Sequence, residues 1–227
     1  MSQYWKIPKI WQDEDVWILG GGPSVTKQFN IPEAVVGAVM NKELPLSVYS
    51  QYLHPIHNKH VIGVNIAYMI GTWMDMIFFG DKAFFLFHQH GLSAYPGIKV
   101  SSHPKTQGLE WVNYVPRERY HLTGLSPNPR TICWNANSGA AAIDVAVHAG
   151  AKRVLLLGMD MQVDEVGRQH WHDEYHTPKM KKQPFDTHLR AFPDIAKDAQ
   201  AKGVEIINVS PDSAIHSFPK VTLKEVL

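Results

Sequence analysis

Short, continuous apolar runs recur along the chain, and most of them end on a glycine or a small polar residue. These runs lack the alternation of polar and apolar positions that marks a half-exposed strand. Continuous apolar strands are typical of a parallel sheet that is covered on both faces. We therefore predict five buried strands, over residues 16–20, 61–65, 74–81, 154–160 and 204–210.

Two longer segments between these runs have the character of helices. In SGAAAIDVAVHAG, residues 138–150, Ser138 can cap the first turn, alanine favours the helix, and Gly150 can close it. A second helix is predicted over about 187–202, before Gly203, with a bend or a late start near Pro193. Strands that alternate with helices predict an α/β fold, a three-layer sandwich with a mostly parallel sheet.

The chain is expected to form one domain over residues 1–227, with no internal repeat. Segments 41–60 and 91–130 are rich in proline, glycine and histidine, and we expect them to be irregular. Segment 161–186 is polar and lies between a predicted strand and a predicted helix. We predict that it forms a small lid or acceptor-side insertion.

Composition excludes several classes of protein. The formal net charge of +1 does not indicate the basic surface that binds nucleic acid. The only cysteine is Cys133, so an internal disulfide is impossible and a reducing, cytoplasmic setting is expected. The most apolar stretch, residues 62–79, contains Asn65 and Asp75 and is not expected to span a membrane.

The first predicted strand ends in a glycine-rich loop, GGGPS, formed by Gly20, Gly21, Gly22, Pro23 and Ser24. Glycines remove the side chains that would hold a phosphate away from backbone amides, and a following helix would favour the anion. The loop is neither a Walker sequence nor a complete G-x-G-x-x-G motif. By itself it is equally consistent with a plain tight turn.

Polar residues follow the other predicted strands and precede the alanine-rich helix. In an open α/β sheet, ligands collect at the carboxyl ends of the strands. A strand-terminal Asn65 would contact a ligand or cap the next helix, and Asp81 would contact a ligand or begin a solvated helix. The candidate ligand-binding residues at these positions are Asn65, Asp81, Asn137, Ser138, Gly139 and Asp160.

Two further segments carry candidate chemistry. HWHDEYH, residues 170–176, is dense enough in imidazole and carboxylate groups to bind a metal, but its spacing matches no strong zinc pattern. We expect a polar loop or an acceptor site there. The last predicted strand is followed by a turn that contains Ser210, Pro211 and Ser213, which alone is an ordinary loop.

Taken in order, these motifs resemble those of the bacterial sialyltransferases of the single-domain Campylobacter type. The wider superfamily includes motility accessory factors, archaeal 6-hydroxymethylpterin pyrophosphokinases and uncharacterised phage and bacterial proteins. The likeness runs from about residue 16 to 227 and is most specific in GGGPS and in the segment NSGAAAIDVAVHAGAKRVLLLGMD.

The resemblance implies a modified Rossmann fold that binds a nucleotide in its crevice. Gly21, Gly22 and Ser24 would meet the phosphate and ribose, although Gly21 stands where the sialyltransferases often have asparagine, which leaves the donor open. The resemblance implies further nucleotide contacts from Asn65, Ser138, Gly139, Ser210, Pro211 and Ser213.

The same resemblance implies a histidine as general base. His188 lies at about the matching distance before the C-terminal turn and is the first choice. His172, together with His170 and His176, is a rival.

The leading hypothesis is transfer of a sugar from a nucleotide-activated donor, such as a CMP-linked one, to the hydroxyl of a glycan or small-molecule acceptor. One alternative is an NTP-dependent pyrophosphokinase-like reaction, which would need Mg²⁺ held by carboxylates such as Asp81 and Asp160. Another is a nucleotide-binding accessory protein without catalysis. The glycosyltransferase hypothesis requires no cofactor, and the resemblance allows a homo-oligomer.

Overall fold

A computed structural model describes residues 4–174 and 184–227, and its centre is a seven-stranded sheet. Every pairing between the described strands is parallel. The strands are β1 (Asp15–Leu19), β2 (His60–Val64), β3 (Met76–Phe79), β4 (Ile98–Ser101), β5 (Asn113–Tyr114), β6 (Arg153–Leu157) and β7 (Glu205–Asn208).

The spatial order of the strands is β5-β4-β3-β2-β1-β6-β7. From β1 the chain builds the sheet outward in one direction as far as β5, and then returns to add β6 on the other side of β1. The connection after β1 leads to β2 on one side, whereas the connection after β6 leads to β7 on the other side. Such a reversal opens a crevice, which is the usual place for a ligand in this class of fold.

Both faces of the sheet are covered, which explains the continuous apolar runs. In β1, Val16 and Ile18 pack into one buried cluster, whereas Trp17 and Leu19 pack into the other. The described helices are α1 (Ser24–Gln28), α2 (Glu33–Met40), α3 (Lys82–Ala94), α4 (Ser138–His148), α5 (Phe185–Leu189) and α6 (Phe192–Ala201). The first cluster includes residues of α4 and α6, and the second includes residues of α1, α2 and α3. The predicted Rossmann-like three-layer α/β fold is confirmed.

The structure differs from the sequence-based elements in three places. Segment 91–130 is not wholly irregular, because it contributes β4 and the two-residue β5. Helix α3 begins after Asp81 and was not predicted as a long helix. The helix predicted over 187–202 is two helices, and the late start expected near Pro193 is confirmed, because α6 begins at Phe192 with Pro193 in its first turn, where proline is tolerated.

The predicted lid, 161–186, falls partly outside the described residues, which omit 175–183. Its described beginning is attached to the first half of the chain, since Arg168 pairs with Asp164 and with Glu33 of α2. The role of the segment as a lid stays a prediction. No helix within 4–174 and 184–227 has both the length and the apolar character needed to cross a bilayer.

Candidate functional site

A cavity of about 450 Å³ lies at the carboxyl ends of β1, β2, β3 and β6, beside the first turn of α4. The glycine-rich loop and the segment around Ser138, far apart in the chain, both line it. The fold therefore brings most of the sequence-predicted residues to one place. Those that line the cavity are Gly20, Gly21, Gly22, Asn65, Asp81, Asn137, Ser138, Gly139, Asp160, His172 and His188.

The glycine-rich loop is packed against the loop that follows β6. The Gly22 amide donates to the Gly158 carbonyl at 2.8 Å, and the Ser24 amide donates to Asp160 Oδ2 at 2.9 Å. A Cβ on Gly22 would collide with the Asp160 carboxylate, and one on Gly20 would lie 2.7 Å from the Gly158 carbonyl oxygen. Glycine is thus required here by the close approach of two loops, and the amides of Gly22 and Ser24 are engaged within the protein.

Backbone amides at the cavity remain for a ligand, among them those of Gly21 and Ser138. Within the described part of the chain, the amides of Gly21 and Ser138 have no acceptor, and both residues line the cavity. The next two amides of α4 are capped, because Asn137 Oδ1 accepts from Gly139 at 2.8 Å and from Ala140 at 3.3 Å. Uncapped amides at the start of a helix favour an anion.

The C-terminal turn lies behind the glycine-rich loop and does not line the cavity. The Ser210 hydroxyl is hydrogen-bonded to the Ser24 hydroxyl at 2.8 Å, and the Ser213 hydroxyl donates to the Met159 carbonyl at 2.7 Å. Pro211 is exposed and Pro23 precedes α1, both outside the cavity lining. Ser24, Ser210 and Ser213 therefore support the loops internally, and this placement differs from the direct phosphate contact that the resemblance implied.

Asp160 connects the glycine-rich loop, at Ser24, to the C-terminal turn, at Ser210. Its side chain is buried, and its burial raises the pKa of the carboxyl group, whereas hydrogen bonds from Ser24 and Ser210 oppose that rise. A buried carboxylate is tolerated only when its oxygens accept hydrogen bonds. Asp160 thus holds the glycine-rich loop in place from the side of the cavity.

Asn65 presents an unsatisfied polar atom at the cavity. Its backbone is in the left-handed region, with φ of +52°, and its side chain caps no helix. The capping alternative is therefore wrong. Its Oδ1 is buried and has no donor among the described residues. A buried amide oxygen without a partner is costly, so a ligand that donates a hydrogen bond here would be favoured.

His170 of the HWH segment lies against the glycine-rich loop, and His172 stacks on it. His170 Nδ1 is 3.3 Å from the Gly21 carbonyl oxygen, and the ring of His170 stacks on that of His172 with centroids 5.0 Å apart. Burial lowers the pKa of His170 to about 4. His172 Nδ1 accepts from the Glu174 amide at 3.1 Å, so a neutral His172 carries its proton on Nε2.

His188, on α5, lines the same cavity. Burial lowers the pKa of His188, whereas the negative charge of Asp81 opposes that change. Asp81 in turn accepts a hydrogen bond from the Ser138 hydroxyl at 3.1 Å. His188 is therefore a neutral imidazole at neutral pH, as a general base must be. The third rival, His176, lies outside the described residues.

Several residues that line the cavity were not predicted from the sequence. Phe84 and Trp134 supply aromatic surface, and Gly158 supplies the carbonyl that receives the glycine-rich loop. Trp134 stands three positions before Asn137 in WNANSG, so proximity to that motif was the available signal. Among the residues that the structure describes, no three His, Cys, Asp or Glu side chains are grouped so as to hold a metal ion.

No protein-family model matches the chain, and no curated protein sequence matches it.

Solved structures do match. One is the sialyltransferase CstII from Campylobacter jejuni in complex with cytidine-5'-monophosphate, at 16% identity and a TM-score of 0.50, over 93% of this chain and 86% of that one. Another is CstII in complex with CMP-3FNeuAc, at 14% identity and a TM-score of 0.49, over 92% and 86%. At these identities the likeness shows the fold.

Proposed function

We propose that this protein is a glycosyltransferase that takes a sugar from a nucleotide-activated donor. The observation that carries the proposal is the single cavity at the strand reversal, where free amides, an unsatisfied Asn65 oxygen and a neutral His188 face the same space. A nucleotide sugar needs anion-binding amides for its phosphate, and the acceptor hydroxyl needs a base.

Likeness in fold supports the choice of donor class. The CstII structure matched at a TM-score of 0.50 contains cytidine-5'-monophosphate. A CMP-linked sugar is therefore the first donor to test, and Gly21, Ser138, Gly139 and Asn65 are the proposed nucleotide contacts. Asp160, Ser24, Ser210 and Ser213 have the proposed role of fixing the loop that presents Gly21.

The proposed reaction forms one bond and breaks another. The acceptor hydroxyl oxygen attacks the anomeric carbon while the bond from that carbon to the donor phosphate oxygen breaks. His188 takes the hydroxyl proton. General-base catalysis of this kind raises the rate by about 10²–10⁴-fold. The amides of Gly21 and Ser138 stabilise the charge that collects on the departing phosphate.

The alternatives gain less support from the cavity. A pyrophosphokinase-like reaction would need Mg²⁺ on converging carboxylates, but Asp160 Oδ2 accepts from the Ser24 amide and Asp81 Oδ2 accepts from the Ser138 hydroxyl. No three His, Cys, Asp or Glu side chains of residues 4–174 and 184–227 are grouped so as to hold the ion. A non-catalytic nucleotide-binding protein would need the same amides but would have no use for a cavity-facing base.

A ligand panel tests the proposal. Thermal unfolding would be measured with CMP, UDP, GDP and ATP, each with and without Mg²⁺, because a bound ligand raises the midpoint by mass action. A shift with a nucleotide in the absence of metal, followed by release of that nucleotide from its sugar donor, supports the transferase. A shift with ATP only when Mg²⁺ is present supports the kinase-like alternative. A shift without any turnover supports the accessory protein, and no shift overturns all three.

A further inference from the structure

Trp134 forms a half-buried aromatic wall of the cavity. It lies in the segment between β5 and α4, and it lines the cavity together with Ala83 and Phe84 of α3. The proposed reaction gives this indole no task. A large aromatic surface left open to a polar cavity is unfavourable unless a ligand covers it.

The indole is fixed from behind by Arg117. The guanidinium carbon of Arg117 lies 3.5 Å from the indole centroid, and the same guanidinium donates to the Gly80 carbonyl at 2.6 Å and to the Ser102 hydroxyl at 3.2 Å. A Cβ on Gly80 would collide with the Trp134 ring. Trp134 is therefore held by contacts on one side, and Arg117 does not line the cavity.

This arrangement favours one kind of ligand group over another. A cation on one face of an indole attracts the π electrons of the ring. The opposite surface is then poorer in electrons, which weakens contacts with the C–H groups of a sugar and strengthens stacking with an electron-rich heteroaromatic ring. Base–aromatic stacking tolerates any base, because each has a π face.

The position of Trp134 suits the base of a nucleotide whose phosphate binds the free amides. Trp134 abuts Gly80, which follows β3, whereas Gly21 follows β1, with β2 between them. Two strand spacings are about 10 Å, comparable to the length of a nucleoside monophosphate. A phosphate at Gly21 and Ser138 would thus place its base near Trp134 and Phe84.

We propose that Trp134, clamped by Arg117, is the stacking platform for the nucleobase of the donor. The inference rests on the proposed function, since it takes the cavity to be a nucleotide site. It adds the residue that distinguishes a nucleotide from other phosphorylated molecules.

The test compares ligands with and without a base. Dissociation constants for CMP, UMP, GMP and AMP, and for ribose 5-phosphate as a probe without a base, would be measured by calorimetry on the wild type and on Trp134→Ala. The expected result is about a tenfold or greater loss of nucleotide affinity, with ribose 5-phosphate affinity unchanged. Trp134→Phe should regain most of the nucleotide affinity.

Trp73→Ala is the matched control. Trp73 is also half-buried and stacks on a ring, that of His57, at 4.2 Å, but it lies outside the cavity. Its nucleotide affinities should equal those of the wild type.

Three outcomes would count against the inference. Unchanged nucleotide affinity in Trp134→Ala overturns the platform alone and leaves the proposed function standing. An equal loss for ribose 5-phosphate also overturns it, because the cavity as a whole has then changed. Failure of every nucleotide to bind the wild type overturns the proposed function and the platform together.

Discussion

The buried carboxylate of Asp160 accepts a hydrogen bond from the backbone amide of Ser24 at 2.9 Å, across 136 positions of sequence. This bond joins the loop after β6 to the loop after β1, the two loops at which the strand order reverses. The Gly22 amide bonds to the Gly158 carbonyl beside it. The shape of the cavity at Gly21 therefore depends on an interaction between loops and not on the glycine-rich sequence alone.

Replacing Asp160 by alanine should loosen the glycine-rich loop. The Ser24 amide and the Ser210 hydroxyl would lose a buried partner, which costs about 1–3 kcal/mol. Asp160→Asn keeps one acceptor oxygen and should be less destabilised. Urea unfolding gives the free energies of unfolding, and the idea is contradicted if Asp160→Ala is as stable as the wild type.

Gly22→Ala should destabilise the protein and weaken nucleotide binding, because the new Cβ would displace the Asp160 carboxylate. Gly37→Ala is the matched control, since no atom lies within 4 Å of the Cβ it would add in α2. That control should be stabilised by up to about 1 kcal/mol through helix propensity. In chemical unfolding, the free energy of unfolding should fall for Gly22→Ala and rise for Gly37→Ala. Equal effects of the two substitutions would contradict close packing of the two loops as the reason for glycine at position 22.

His188→Ala should abolish most transfer while leaving nucleotide affinity intact. Loss of a general base lowers the rate by about 10²–10⁴-fold. His216→Ala, at an exposed position outside the cavity, is the control. Single-turnover transfer from the donor identified by the ligand panel is the measurement. Full activity in His188→Ala would move the base to His170, His172 or His176.

The pH dependence of kcat/KM should also report on His188. Burial lowers the pKa of this group below 6.5, and only the neutral imidazole accepts a proton. Activity should therefore persist as the pH falls to 6.5 and decline only below it. An acid limb centred above pH 7 would be inconsistent with His188 as the base.

Stability should fall in mild acid because of His170. The unfolded chain takes up a proton on this residue near pH 6.5, whereas the folded protein does so only near pH 4. Between these values the unfolded state binds more protons, so stability present above pH 6.5 is lost as the pH falls, by up to about 3 kcal/mol.

Replacement by His170→Asn should flatten that dependence, while His216→Asn, at an exposed position, should leave it unchanged. Unfolding free energies from pH 7 to 4 provide the comparison. If the free energy of unfolding depends on pH equally in the wild type and in His170→Asn, the loss of stability in acid does not come from His170.

The hydrophobic pattern predicted β1, β2, β3, β6, β7 and α4 well, because buried parallel strands must be continuously apolar. The predicted strand ends ran one to three residues too far at their carboxyl ends, where Gly20, Asn65 and Asp160 belong to loops. Strands β4 and β5 were missed because both lie toward one edge of the sheet and contain polar residues such as Lys99 and Asn113, and because β5 has only 2 residues.

The sequence by itself determined which residues stand at the strand ends, and a parallel sheet necessarily gathers such residues at one edge. Only the tertiary structure decided which groups remain free for a ligand. The amides of Gly22 and Ser24 and the hydroxyl of Ser213 are used by neighbouring loops, while Gly21 and Ser138 are left available. Hydrogen-bond partners from distant segments determine which groups are engaged and which are free, and these partners cannot be identified from the local sequence.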